Sequence, residues 1–179
     1  PAVDVPSFLY FEVKDWKYKP SSILEKIHLQ FKDKKVAIRS SAIGEDTADE
    51  SMAGQFESLL NIDVANTDAL KAGVDTVLES YSCMDRKNTD LDQVIVQEMV
   101  VDIAVAGVVF TRDLSTGAPY YCIEYDDISG RSDIVTSGSS NLIKTFYVAR
   151  SGGLQHVASK RFKKLLDIIN KIEIFFENT

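Results

Sequence analysis

Residues 94–125 read VIVQEMVVDIAVAGVVFTRDLSTGAPYYCIEY. Three runs rich in β-branched and aromatic residues stand out: Val94–Val101, Ala104–Arg112 and Tyr120–Tyr125. The turn Leu114-Ser115-Thr116-Gly117 joins the last two, too short for the crossover a parallel pair needs, so the spacing predicts an antiparallel meander. Outward from it, strands are expected at Ser7–Val13, Val36-Ala37-Ile38 and Gln55–Ile62, the last with Phe56, Ser58, Leu60 and Ile62 on one side. Shorter strands at Asp133–Thr136 and Lys144–Val148 flank a Ser/Gly-rich loop, Ser137–Asn141. Helices are expected at Ser22–Phe31 with Ser21 as N-cap, at Thr67–Cys83 capped by Thr67 and Asp68, and at Ser159–Phe176. Leu70, Val74, Val77, Leu78 and Tyr81 make one apolar stripe, and Phe162, Leu165, Leu166, Ile169 and Ile172 another. Strands in a meander with helices to one side give the α+β class. Arg39–Gly54 shows no apolar periodicity and reads as a long loop, Arg86–Asp92 as a polar linker.

The 179 residues are 45% hydrophobic and carry a formal charge of −7, which suits a packed core and argues against broad nucleic-acid binding. No apolar run is long enough to span a membrane as a helix. The basic cluster Lys160, Arg161, Lys163 and Lys164 reads as a solvated helix face. Cys83 and Cys122 form no CxxC pair, so a reduced, cytoplasmic protein is expected. His28 and His156 lack partners at ligand spacing, and neither a zinc site nor a Ser-His-Asp triad has support.

Four segments bear on chemistry. Arg39 stands at a strand end, followed by the hydroxyls of Ser40 and Ser41; its planar donor fork suits a phosphate, the alternative being a surface ion pair with Glu45 or Asp46. Met52-Ala53-Gly54 closes the long loop with residues that let backbone N–H groups approach an anion. It is not a GxxxxGK[ST] loop. In Val94–Val100 an apolar strand is interrupted by Gln97 and Glu98, which could face a purine edge or simply mark a half-exposed strand. Gly107–Asp113 with Ser115-Thr116-Gly117 is, by composition, a hairpin.

In this order the segments Val36–Ala42 with Glu45-Asp46, Ser51–Ile62, Val96–Val100, Ala106–Asp113 with Ser115-Thr116-Gly117, and Gly130–Gly138 resemble the nucleotide-binding domain of the phosphoenolpyruvate synthase and pyruvate phosphate dikinase family. The resemblance implies an ATP-grasp-like fold holding ATP and Mg²⁺. It places the γ-phosphoryl end by Arg39, Ser40 and Met52-Ala53-Gly54, with Arg39 as the catalytic residue, and adenine by Gln97, Glu98, Met99 and Val100. It further implies phosphoryl transfer to a histidine on a separate swivelling domain, and then to a small acceptor, with pyruvate favoured. Related dikinases act instead on an amide, an antibiotic hydroxyl or a glucan, and a non-catalytic nucleotide-sensing or docking module is the rival from another class.

The family's upstream phosphate-contacting lysine and downstream metal-binding glutamate have no counterpart here, so residues 1–179 are expected to be most of one ATP-binding domain, cut at both ends, without a metal ligand and inactive alone. Asp133 stands where the family's late loop carries glutamate. If Gln97–Val100 holds the base, Met99→Lys weakens ATP and AMP binding alike and leaves inorganic phosphate binding unchanged. Calorimetric titration of the three ligands checks this.

Overall fold

The computed structural model describes residues 3–43, 56–82, 89–133, 135 and 142–177. Residues 44–54 of the loop expected at Arg39–Gly54, Gln55, Cys83, and most of residues 134–141 lie outside them, while Arg39–Ser41 continue the strand before that loop. Helices and antiparallel sheets make this an α+β chain of two compact units, one Val5–Met99 and the other Val100–Thr179 with Pro1–Asp4.

The first unit has four strands: β1 (Phe8–Glu12), β2 (Lys35–Ser41), β3 (Ser58–Asp63) and β4 (Gln93–Glu98). They lie in the order β1-β4-β2-β3, with every neighbouring pair antiparallel. Its helices are α1 (Val13–Tyr18), α2 (Pro20–Gln30) and α3 (Thr67–Ser82). Period-two alternation puts Phe11, Val36, Ile38, Val94 and Val96 on one sheet face, where they are buried with Ile23, Ile27 and Phe31 around α2 and Leu70, Val74, Val77 and Tyr81 of α3. Trp16 of α1 stacks on Phe11 at 5.6 Å, and its Nε1 donates to Asp75 of α3 at 2.9 Å.

Several local expectations change. The Lys/Trp/Tyr stretch after β1, to which the sequence pattern assigns no element, is helix α1, because Val13 and Trp16, three residues apart, both reach the core. Helix α2 starts at Pro20, whose fixed φ suits the first turn, and no side chain caps it, so Ser21 is not its N-cap. Helix α3 is capped one residue earlier than expected, Asn66 Oδ1 accepting the Ala69 amide at 3.0 Å. In β3 the register with β2 shifts, and Asn61 takes a positive φ of 62°. That bulge inverts the expected alternation: Leu59 pairs with Ile38 and Ile62 with Val36, both on the helix-covered face.

In the second unit β5 (Ala106–Phe110), β6 (Tyr120–Asp126) and β7 (Lys144–Ala149) form an antiparallel meander under helix α4 (Lys160–Glu177). The meander is therefore one strand later than expected, because β4 is held by β1 and β2 and the connection that follows turns at Asp102, φ 53°. Tyr121, Ile123, Val157, Phe162 and Leu166 make its core, with Phe146 stacked on Phe162 at 5.0 Å. Ile172, the last residue of the expected stripe, is exposed. Arg150 Nη1 meets Glu173 Oε1 at 2.7 Å and donates to the Thr111 carbonyl at 2.9 Å, while Tyr121 donates to Glu173 Oε2 at 3.0 Å. Burial opposes the charge on Glu173, but Arg150 and Tyr121 outweigh it and hold that carboxyl below the ordinary range.

Leu70 is fully buried between α3 and the sheet. Leu70→Ala removes packing that the surrounding side chains only partly refill, and lowers the stability of the Val5–Met99 unit by about 2–5 kcal/mol. Denaturant-dependent amide exchange in β2 and β4 reads the loss.

Candidate functional site

Cross-strand pairing decides which candidate residues meet. Arg39 stands opposite Ile95 on β4 and Ser58 on β3, and Ile95 stands opposite Tyr10 on β1. One register step along, Gln97 lies between Ala37 and Phe8. These rows occupy the sheet face opposite the helices. Arg39 is exposed there and Gln97 half-buried. The two are diagonal neighbours on adjacent strands, roughly 7–8 Å apart. The structure thus brings Arg39 and Gln97 together on one open face.

Ser40 and Glu98 lie on the other face. Ser40 pairs with Val94 and is half-buried, and Glu98 pairs with Val36 and meets Lys34 Nζ at 2.8 Å. The amide of Glu98 donates to the Ser7 carbonyl at 2.8 Å, and that of Met99 to the Lys35 carbonyl at 3.0 Å. These two N–H groups are therefore already engaged within the sheet. Met99 is half-buried and closes the first unit; Val100 is exposed and opens the second. Met52, Ala53 and Gly54 lie outside the described residues.

Beyond Arg39, the exit of β2 is fixed by two groups that sequence reasoning passed over. Tyr81, fully buried at the end of α3, donates its hydroxyl to the Gln93 carbonyl at 2.5 Å and accepts the Ser41 amide at 3.0 Å. Asp92, read as part of a polar linker, is 1% exposed and accepts the Ile43 amide at 2.8 Å, while its carbonyl accepts the Val13 amide at 2.8 Å. The same helix end meets the chain where it re-enters the described residues: Phe56 packs edge-on against Tyr81 at 5.3 Å, and Ser80 Oγ accepts the Glu57 amide at 3.3 Å. By sequence Tyr81 is a residue of the apolar stripe. A phenol at the end of an apolar stripe is the one sequence signal that it needs a polar partner. Beside this exit Glu12, Ser41, Ala42, Ile43, Leu91 and Gln93 line an open hollow of about 360 Å³.

His28 is engaged on helix α2, its Nδ1 2.7 Å from the Leu24 carbonyl and its Nε2 3.1 Å from the Thr67 hydroxyl. His156 is exposed in a short helical turn of the second unit. Among the described residues no three His, Cys, Asp or Glu side chains converge as a metal cage would require. In the second unit Asp113 holds the hairpin turn, accepting the Thr116 hydroxyl at 2.6 Å, the Ser115 hydroxyl at 2.8 Å and the Thr116 amide at 2.8 Å. These donors, the Thr116 hydroxyl first, pull its carboxyl down to about 2. Gly117, at φ 68°, lets the turn close onto the Asp113 carbonyl.

An arginine and an amide side chain on one open face, next to a braced strand exit, suit an anionic ligand with a heterocyclic base. The family described as "Pyruvate phosphate dikinase, AMP/ATP-binding domain" matches residues 18–130, well over half of the chain. The chain belongs to this family. The match runs from the end of α1 into the turn after β6 and takes in Arg39, Gln97 and Tyr81. Within this pyruvate phosphate dikinase family, the chain is 38% identical over 112 residues to a probable phosphoenolpyruvate synthase of Methanothermobacter thermautotrophicus. The aligned part is 58% of this chain and 16% of that relative, so the chain answers to a small part of the relative's length. No described helix is long and apolar enough to cross a membrane.

Tyr81→Phe tests the bracing of the dikinase-family domain. Losing the hydroxyl strands the Gln93 carbonyl and the Ser41 amide in a half-buried place, and is expected to cost about 1–3 kcal/mol. Urea denaturation gives the cost, and faster amide exchange at Ser41 locates it.

Proposed function

We propose that this chain is the ATP-binding portion of a phosphoenolpyruvate synthase-like dikinase, most of one ATP-grasp-like domain of a larger cytoplasmic enzyme. The observation that carries the reading is Arg39 and Gln97 side by side on the open sheet face within a matched AMP/ATP-binding domain. Arg39 offers a fork of donors to the triphosphate oxygens, where charge gathers as the terminal phosphoryl group departs. The Gln97 amide, which both donates and accepts, can pair with the amino group and ring nitrogen on one edge of adenine. Ser40, turned to the other face, contributes through the backbone at the strand exit, and Met52-Ala53-Gly54 would complete the phosphate contacts through their amides. Glu98, whose side chain is on the other face, and Met99 adjoin the base end through their backbone.

Mg²⁺ fits this chemistry without a protein cage, since it is commonly held by substrate phosphates, water and one or two carboxylates. The metal neutralises phosphate charge when bound; this chain's part is to orient the nucleotide. The receiving histidine belongs to a separate swivelling domain, a reading supported by the relative's length, of which the aligned part is 16%, and by His28, whose ring nitrogens are taken up by Leu24 and Thr67. From there the phosphoryl group passes to a small acceptor, for which pyruvate is the first choice because the matched relative is named a probable phosphoenolpyruvate synthase.

Arg39→Ala is expected to cost about 1.5–3 kcal/mol of ATP binding by the chain, or of transfer in the complete enzyme. Arg39→Lys restores only part, because a point charge cannot reproduce the fork. Calorimetry with ATP measures the series, and full affinity in the alanine variant would remove Arg39 from the site.

A further inference from the structure

The open sheet face carries more than Arg39 and Gln97. Phe8 and Tyr10 of β1 project from the same face and are 50% and 59% exposed. Neither is covered by the helices, which pack the opposite face around Phe11. Pairing sets their neighbours: Tyr10 stands beside Ile95, which stands beside Arg39, and Phe8 stands beside Gln97. Two strand spacings separate Tyr10 from Arg39, about 10 Å across the sheet. Along β1 the two rings are two residues apart, about 7 Å.

A row running aromatic, aliphatic, guanidinium has a direction. One end favours a flat π-system and the other an anion, and the span between them matches a nucleotide laid across the strands with its base over β1 and its phosphates at β2. The amide of Gln97 lies next to the aromatic end, where the edge of the base would be. We infer that Phe8 and Tyr10 form the stacking floor for the adenine of ATP and AMP, with Tyr10 the principal contact. The inference rests on the nucleotide-binding reading above and adds to it residues outside the Gln97–Val100 segment. Stacking is sequence-tolerant and purely facial, so it supplies affinity while Gln97 supplies the choice of base. An exposed aromatic pair on an edge strand is otherwise a liability for edge pairing and association.

The test separates base from phosphate. In the 179-residue chain, ATP, AMP and inorganic tripolyphosphate are titrated against wild type, Tyr10→Thr and Tyr10→Trp, with thermal melts to confirm folding. Threonine keeps a strand-forming side chain while removing the ring. The expected result is a loss of roughly 5- to 100-fold in ATP and AMP affinity for Tyr10→Thr with tripolyphosphate unchanged. Tyr10→Trp should recover the affinity, and its indole emission should quench on adding ATP. Unchanged ATP affinity in Tyr10→Thr overturns the inference and leaves the nucleotide reading standing, as does an equal loss for ATP and tripolyphosphate. A wild-type chain that binds none of the three ligands overturns both.

Discussion

The pairing of β2 with β4 is the constraint on which the first unit depends. It joins Ser41 to Gln93 and Val36 to Glu98 across a long separation in sequence. Closing such a loop costs little more than closing one half its length. Burial of Val36, Ile38, Val94 and Val96 offsets that cost and selects the register. A slip of one residue would turn either Val36 and Ile38 of β2 or Val94 and Val96 of β4 to solvent, and drive Arg39 or Gln97 under the helices. The core therefore sets which side chains are offered on the open face, although none of these four residues is on that face. The Tyr81 hydroxyl, shared between Ser41 and Gln93, pins the same pair of strands at the end where β2 leaves the sheet.

The elements with strong periodicity were legible in the sequence. The stripe of α3 and most of that of α4, the strand character of β1, β2, β5 and β6, and the hairpin at Asp113–Gly117 all follow from local pattern. What local pattern does not carry is pairing. The segment of β4 reads the same whether it joins the strands after it or those before it, and only tertiary burial decides. The inverted alternation in β3 has a comparable cause: a single Asn at positive φ shifts everything before it to the other face, and asparagine is tolerated there without being diagnostic.

The site divides along the same line. Arg39 and Gln97 were recognisable as residue types out of place at a strand end and within an apolar run, and the sheet sets them on one face. Ser40 and Glu98, their sequence neighbours, fall on the opposite face because alternation admits no other outcome for consecutive residues in a strand. Asp92 and Tyr81 escaped because their importance lies in a buried carboxylate and a buried hydroxyl finding backbone partners far along the chain. Neither spacing nor composition encodes that.

Cys122 sits nearly buried in β6, its thiol 3.9 Å from the second carboxylate oxygen of Asp113. Burial first, and then the negative charges of Asp113 and Glu124, push that thiol above its usual range, so the reactive thiolate is scarce while the hairpin is closed. Release of the turn would expose the sulfur and remove the neighbouring carboxylate together. With Cys83 replaced by serine, the rate of thiol labelling becomes a clock for opening of the β5–β6 hairpin, reading an internal motion from a residue with no part in the proposed chemistry.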